Sequence, residues 1–299
     1  MVVFRANLRN SIIMTTTNPN LQPDHTAIRV ALWRALHVHL DPPPHVFTDE
    51  IGAQLVGETD WQSRPDMNAS FSKGMRASVV GCARFIEDLL EEEINQGACQ
   101  YVILGAGLDT FAQRRPELAS RLSIFEIDQP GTQLWKRNRL NEIGFTTPPW
   151  LHFVPVDFES GQSWWDQLIS SGFDPQKKTV VVSTGVSMYL TKETNLKTLK
   201  QLAQLKHNST FATTFMLELN LLEANERSVL EYVMKRAQES NTPFLSLFSP
   251  EEILNMAKEA GFNKTQYVSG KDLFERFFSK RTDHLRAGNA EAFLVVHTN

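Results

Sequence analysis

Between Pro23-Asp24 and the run Pro42-Pro43-Pro44, Ile28, Leu32, Leu36 and Leu40 recur every four residues. That spacing predicts an amphipathic helix, and the prolines end it. Residues 45–70 lose the period and keep only scattered anchors, Trp61, Pro65 and Met67. The helical pattern returns over 71–95 and closes in an acidic stretch of Glu87, Asp88, Glu91, Glu92 and Glu93, read as a solvated face. After Gly97 the period changes. Short β-rich runs fall at 100–104, 123–127, 151–156, 179–183, 210–217, 265–268 and 292–297. Helical segments separate them near 111–120, 130–143, 164–169, 192–206 and 219–240, then after the cap Ser249-Pro250-Glu251-Glu252 and at 271–278. Strands that alternate with helices build a mostly parallel sheet covered on both faces. The predicted fold class is α/β, with these seven strands in one sheet. Residues 1–22 are expected to be a flexible leader, 23–96 a helical cap, and 97–299 one α/β domain with a helical insertion at about 219–245.

Composition narrows the function classes. Of 299 residues, 41% are hydrophobic and 21% charged, so a buried core is expected rather than a low-complexity chain. Thirty Lys and Arg against 34 Asp and Glu leave a formal charge of −4, which argues against a nucleic-acid partner. Cys82 and Cys99 show no CxxC spacing, make no disulfide framework and read as reduced intracellular thiols. No apolar run approaches the ~20 residues of a membrane helix. The expected location is the cytoplasm, with no membrane partner. His37 and His39 lie two apart on a predicted helix, hence on different faces, and no HxxE pattern occurs, so no metal site is expected. The serines lack the G-x-S-x-G context of a hydrolase nucleophile.

The most informative junction is Tyr101-Val-Ile-Leu-Gly105-Ala-Gly107-Leu-Asp109-Thr110, a strand, a glycine pair and a helix start. Gly105 and Gly107 let the backbone turn tightly and approach a ligand without a Cβ in the way. The helix start offers free N–H groups to polar ligand atoms. A plain strand-to-helix turn uses the same residues, so the neighbouring strand ends decide. A dinucleotide fold wants a third glycine beside the pyrophosphate, and Thr110 stands there. A ligand without a pyrophosphate, such as S-adenosylmethionine, does not need it. The second strand ends Phe125-Glu126-Ile127-Asp128, about 20 residues after the glycines, where an acid can accept both ribose hydroxyls of a nucleoside. Glu126 and Asp128 share one face of that strand, and either can serve. The third strand ends Val154-Pro155-Val156-Asp157-Phe158, an acid for an adenine amine and a ring to pack on it. Alone, Asp157 would read as a helix N-cap. Three marked strand ends in succession form one site.

Together the rows LGAGLDTFAQRRP (104–116), FEIDQPGTQLWKR (125–137), VPVDFES (154–160) and GVSMYLT (185–191) resemble the leucine carboxyl methyltransferase family. The resemblance runs from about Asp24 to the last strand. It implies a Rossmann-like methyltransferase sheet with an N-terminal helical cap and S-adenosyl-L-methionine as cofactor. It implies that Gly105 and Gly107 pass under the methionine part of the cofactor, and it favours Asp128 over Glu126 at the ribose. Asp157 and Phe158 are placed at the adenine. The family also uses an arginine of the helix before the first strand for the cofactor carboxylate. In Val80-Gly81-Cys82-Ala83-Arg84 that arginine falls at Cys82, so Arg84 is the expected partner, with Arg76 as the alternative. The fourth strand ends Ser183-Thr184-Gly185, where some members carry a glutamate. Met188 and Tyr189 are expected to face the transferred methyl group and the acceptor, or else to pack the next helix.

A methyl sulfonium is already activated, so the protein has mainly to place an acceptor in line with it and exclude water. A carboxylate is ionised at neutral pH and needs no general base, and no Asp–His or Lys–Asp pair stands out. The expected reaction is therefore O-methylation of a carboxylate on a small molecule or a protein C-terminus, with no catalytic residue assigned. Two readings compete with it: a nicotinamide-dependent oxidoreductase, and a cofactor-binding module of the same fold without methyl transfer.

Overall fold

Every residue of β1 (Gln100–Leu104) and β4 (Thr179–Ser183) is buried, because both strands run mid-sheet beneath a helical layer on each face. The computed structural model describes Pro23, residues 25–157 and residues 161–299; the expected leader and Phe158 lie outside the described residues. The sheet is completed by β2 (Ser123–Asp128), β3 (Leu151–Pro155), β5 (Thr210–Met216), β6 (Lys264–Val268) and β7 (Glu291–His297). Its seven strands run in the order β3-β2-β1-β4-β5-β7-β6. Neighbours from β3 to β5 are parallel, and β7 is inserted antiparallel between β5 and β6. This is the expected α/β sheet, Rossmann-like and mostly parallel.

The helices are α1 (His25–Leu40), α2 (Ile51–Val56), α3 (Lys73–Asn95), α4 (Phe111–Arg114), α5 (Pro116–Ala119), α6 (Pro130–Glu142), α7 (Trp164–Ser170), α8 (Lys192–Leu202), α9 (Ala224–Glu239), α10 (Pro250–Glu259) and α11 (Gly270–Phe277). Strand alternation sorts the core. Tyr101, Ile103, Ile124, Val180 and Val182 pack with Phe85, Ile86 and Leu90 of α3. Val102, Phe125, Ile127 and Val181 turn the other way, toward Leu168, Leu199, Leu202, Ile253 and Ala257 of α7, α8 and α10. Ser163, Thr191, Ser249 and Ser269 cap α7, α8, α10 and α11, each accepting the backbone N–H three residues on. No helix among the described residues is long and apolar enough to cross a membrane.

Two departures from the sequence reading have local causes. Segment 111–120 is two short helices, because Pro116 has no N–H and opens a new helix after Arg115. Residues 45–70, which show no period, hold α2 and two 3-10 turns, Trp61–Ser63 and Pro65–Met67. Trp61 and Met67 pack with Leu32, Ala35 and Leu36 of α1. Elements of two turns or less carry no readable period.

One buried carboxylate ties α1 and α2 to the sheet. Asp49 is 1% exposed. It accepts from Arg34 Nε at 2.7 Å, Thr110 Oγ1 at 2.7 Å and the Gly52 N–H at 3.2 Å. Arg114 Nε lies 3.8 Å from it. Arg34 also donates to the Leu108 carbonyl at 2.7 Å, so α1 is pinned to the loop after β1. Burial pushes the Asp49 pKa up, but the charges of Arg34 and Arg114 and the bonds from Thr110 and Arg34 outweigh it, and the pKa ends below the ordinary carboxylate value. A second buried pair fastens α1 to α3: Arg76 meets Asp41 at 2.8 and 3.0 Å, and His37 Nδ1 lies 2.8 Å from the same carboxylate.

A carboxyl group with a depressed folded pKa stabilises the fold above its unfolded pKa, and that contribution drains as pH falls through the folded value. Asp49→Asn should cost about 3–5 kcal/mol at neutral pH, because Arg34 and Arg114 are left facing a neutral amide. It should also lessen the loss of stability on acidification below about pH 4. Urea titrations at neutral and acid pH measure both effects. A variant as stable as the parent at neutral pH would show that the clamp contributes nothing.

Candidate functional site

At the carboxyl ends of β1 and β4 a cavity of about 1100 Å³ opens, walled by α1, α3, the turn after β4, and α9. The glycine loop lies at the same edge of the sheet, but Gly105, Gly107, Asp128 and Asp157 are not among the residues that line this cavity. Gly105 N–H and Ala106 N–H donate to the Ile127 carbonyl at 2.9 and 3.1 Å, which stitches the loop to the end of β2. Gly105 has φ +74°, and a Cβ on it would stand 2.5 Å from Val186 Cγ2. Gly107, at φ +49°, lies beneath Ala27 of α1. Both positions favour glycine for conformation, and Gly105 for space as well. The Gly107 N–H donates to Asp128 Oδ2 at 2.5 Å, and Gln129 N–H donates to Asp128 Oδ1 at 2.7 Å. Asp128 therefore holds the loop and its own strand end in register. Thr110 is buried and bonded to Asp49, so the position where a dinucleotide fold needs glycine is filled by a structural side chain.

Glu126 and Asp128 share a strand face but not an environment. Glu126 lies inside the sheet layer, 1% exposed, with Lys136 Nζ 2.5 Å from its Oε2 and no hydrogen-bond partner on Oε1. Burial pushes its pKa up to about 7, against the pull of Lys136. It is committed to α6 and does not line the cavity. Asp157 follows β3, where its N–H donates to Gln162 Oε1 at 3.1 Å.

The expected arginine does not reach the cavity. On α3 the positions facing it are Met75, Ser78, Val79, Cys82, Ala83, Ile86 and Glu87, a stripe of helical period. Arg84 falls off that stripe, with about half of its side chain exposed and its Nε 2.7 Å from Asp88. The alternative, Arg76, is closed by Asp41, the Ser72 hydroxyl at 2.6 Å and the Ala69 carbonyl at 3.0 Å. The cavity-lining arginine that is open to a ligand is Arg29 of α1. Its Nη2 donates to Thr26 Oγ1 at 3.3 Å, and its Nε is buried without a partner. By contrast Arg34, Arg64, Arg114 and Arg236 of the same cavity are paired with Asp49, Asp66, Glu87 and Glu239. The sequence signal for Arg29 is only an arginine beside the apolar Ile28, which any amphipathic helix shows.

Met188 and Tyr189 both line the cavity, from the 3-10 turn Ser187–Tyr189. The Met188 carbonyl accepts from Leu245 N–H at 2.6 Å and Ser246 N–H at 3.2 Å. The Tyr189 ring meets Phe244 edge-on at 5.3 Å. Segment 244–246 is thereby docked on the turn. One further lining residue, Glu291, comes from the first position of β7. Because β7 runs antiparallel, its beginning, not its end, reaches the ligand edge of the sheet.

Gly105→Ala should lower stability by about 1–3 kcal/mol through the positive φ and displace Val186, next to the turn that carries Met188. Gly144→Ala is the control, since Gly144 has φ +91° but nothing within 4 Å of its Cβ position. Thermal melts of the two variants separate strain from contact. Equal losses would mean that the approach to Val186 is not felt.

The sequence model of leucine carboxyl methyltransferases matches residues 27–203. Over 297 residues the chain is 32% identical to YktD of Bacillus subtilis, provisionally named an S-adenosyl-L-methionine-dependent methyltransferase, which covers 91% of this chain and 95% of that one. A DUF574-family protein of Streptomyces avermitilis superposes with a TM-score of 0.59 at 13% identity, over 94% of this chain and 99% of that one. A provisionally named O-methyltransferase of Nostoc punctiforme gives 0.51 at 12% identity, over 91% and 72%. At such identities both superpositions speak for the fold alone. The family match covers more than half of the chain and agrees with a glycine loop suited to a nucleoside without a pyrophosphate. The chain belongs to the leucine carboxyl methyltransferase family and is an S-adenosylmethionine-dependent methyltransferase.

Proposed function

We propose that this methyltransferase esterifies a carboxylate oxygen of its acceptor, a small molecule or a protein C-terminus. The observation that carries the reading is the closed turn after β4. Met188, Tyr189 and Phe244 converge where the acceptor must lie, packed and anchored by Leu245 and Ser246. These side chains can position an acceptor and exclude water, but they are poorly suited to taking a proton at neutral pH. A carboxylate is the oxygen nucleophile that needs none removed.

The residues present fit the cofactor. Gly105 and Gly107 place no Cβ on the loop after β1, and the Arg29 guanidinium, whose buried Nε has no hydrogen-bond partner, is the natural complement of an amino-acid carboxylate. We assign Arg29 to that carboxylate in place of Arg84, Asp128 to the ribose hydroxyls, and Asp157 to the adenine amine, with Phe158 the expected ring beside it. S-adenosylmethionine supplies the electrophilic methyl group. The chain's own contribution is alignment: the glycine loop fixes one partner, and the Met188–Tyr189 turn fixes the other.

Calorimetric titration with S-adenosylhomocysteine tests the assignments. Asp128→Ala should weaken binding by about 1–3 kcal/mol. Arg29→Met should weaken it by about 1.5–3 kcal/mol, the range for a bond to a charged group, whereas Arg84→Met should leave it unchanged. The opposite ranking of the two arginines would return the carboxylate to α3. For the reaction, methyl-labelled cofactor is incubated with the protein and fractionated extract. Label in a base-labile ester is expected, and label only in base-stable ethers or amines would refute the carboxylate acceptor.

A further inference from the structure

Glu291 is a carboxylate that the site described so far does not use. The sheet register pairs it with Met216 of β5, and Thr214 lies on the same face two residues earlier. The Thr214 hydroxyl accepts the Gly185 N–H at 2.8 Å, which leaves its one hydrogen free to turn toward Glu291, and it draws the Glu291 pKa down. Glu291 thus neighbours the group that holds the backbone at the end of β4. It lines the cavity together with Thr184, Met188 and Met216. Burial pushes its pKa up, the Thr214 hydroxyl opposes this, and no neighbouring cation among the described residues contributes. Cys82 of α3 lines the same cavity. Among the described residues no ion pair within 4 Å involves Glu291.

We infer that Glu291 receives an ammonium group of the methyl acceptor. Resting on the carboxylate reading above, this makes the acceptor an amino-carboxylate, not a protein C-terminus, whose terminal residue carries an amide instead. A hydroxyl on the acceptor would satisfy a lone pair of Glu291 but leave its charge uncompensated; an ammonium meets both needs. It also screens Glu291 from the acceptor carboxylate, which would otherwise approach a like charge. Met188, Tyr189, Met216 and Phe244 supply an apolar wall for the rest of the acceptor. A cavity of about 1100 Å³ has room for a nucleoside cofactor and a small amino acid together.

The test uses the full chain, methyl-labelled cofactor, and the proteinogenic amino acids paired with their des-amino carboxylates. At least one amino-carboxylate should be esterified with kcat/KM 10- to 100-fold above its des-amino partner. In Glu291→Gln that preference should collapse, chiefly through a raised KM, while Glu291→Asp retains part of it. Melting temperature and S-adenosylhomocysteine affinity should match the parent in both variants. Equal esterification with and without the amine would overturn the inference and leave the carboxylate reading intact. So would a panel in which no amine-bearing member is methylated. Base-stable methylation of amine-bearing compounds that is lost in Glu291→Gln would instead support Glu291 and remove the carboxylate reading. A loss of S-adenosylhomocysteine affinity in Glu291→Gln would place Glu291 on the cofactor's own ammonium and overturn the inference.

Discussion

The cavity exists because α1 is held against the loop after β1, and Asp49 does the holding. Without it, the outer wall (Thr26, Arg29 and Trp33) and the floor belong to separate pieces of chain. Asp49 joins Arg34 of α1, Gly52 of α2 and Thr110 of the loop, and Arg34 passes the connection on to the Leu108 carbonyl. Each group is satisfied by another that the fold already needs there. Thr110 has two consequences at once. Its side chain removes the close packing that a pyrophosphate requires, and its hydroxyl anchors the cap that shapes the acceptor space. Cofactor class and cap placement are therefore set by the same residue.

Sheet polarity sets the remainder. In a parallel sheet the ligand edge is where strands end, so Gly105, Asp157 and Thr184 lie just past carboxyl termini and Asp128 is the last residue of β2. The reversal of β7 is the exception, bringing the first residue of a strand to that edge. Two kinds of position thus meet at one edge of the sheet. Strand ends deliver loops, which can wrap a cofactor through backbone groups. A strand start delivers a side chain held by pairing with β5, where Glu291 lies opposite Met216. Such a residue has little freedom to move and is well placed to read the shape and charge of an acceptor.

How much of this was legible in the sequence follows from the range of each interaction. The seven strands, the capped helices and the glycine pair are local signals, carried by a few adjacent residues, and the structure has them where the patterns put them. Asp128 and Glu126 looked equivalent because alternation reports only the face. Depth within the sheet separates them, and it depends on Lys136 ten residues away. Arg84 looked suitable because it neighbours Cys82 in sequence, yet two residues along a helix is a rotation of roughly 200°, which carries it to the Asp88 side. Arg29 and Glu291 had no local mark at all. The first matters because its Nε lacks a partner, and the second because its strand runs backwards; neither property is written in neighbouring residues.

Two buried acids and a half-buried one show why burial alone does not identify a functional group. Asp49 is enclosed with two arginines, and its pKa ends low. Glu126 is enclosed with one lysine, and burial nearly balances the pair, leaving its pKa at about 7. Glu291 has only the Thr214 hydroxyl, and its pKa is raised. The sequence of partners, from two cations to one to none, runs from the cap joint through the sheet interior to the cavity wall. In the first two places the counter-ion belongs to the protein, because the charge must be neutralised whether or not a ligand is bound. A carboxylate on the cavity wall can be left without one at lower cost, since solvent reaches it in the free protein. When a ligand closes the cavity that solvent is lost, and the counter-charge then has to arrive with the ligand. This is the physical distinction between an acid that builds the fold and one that selects what enters it.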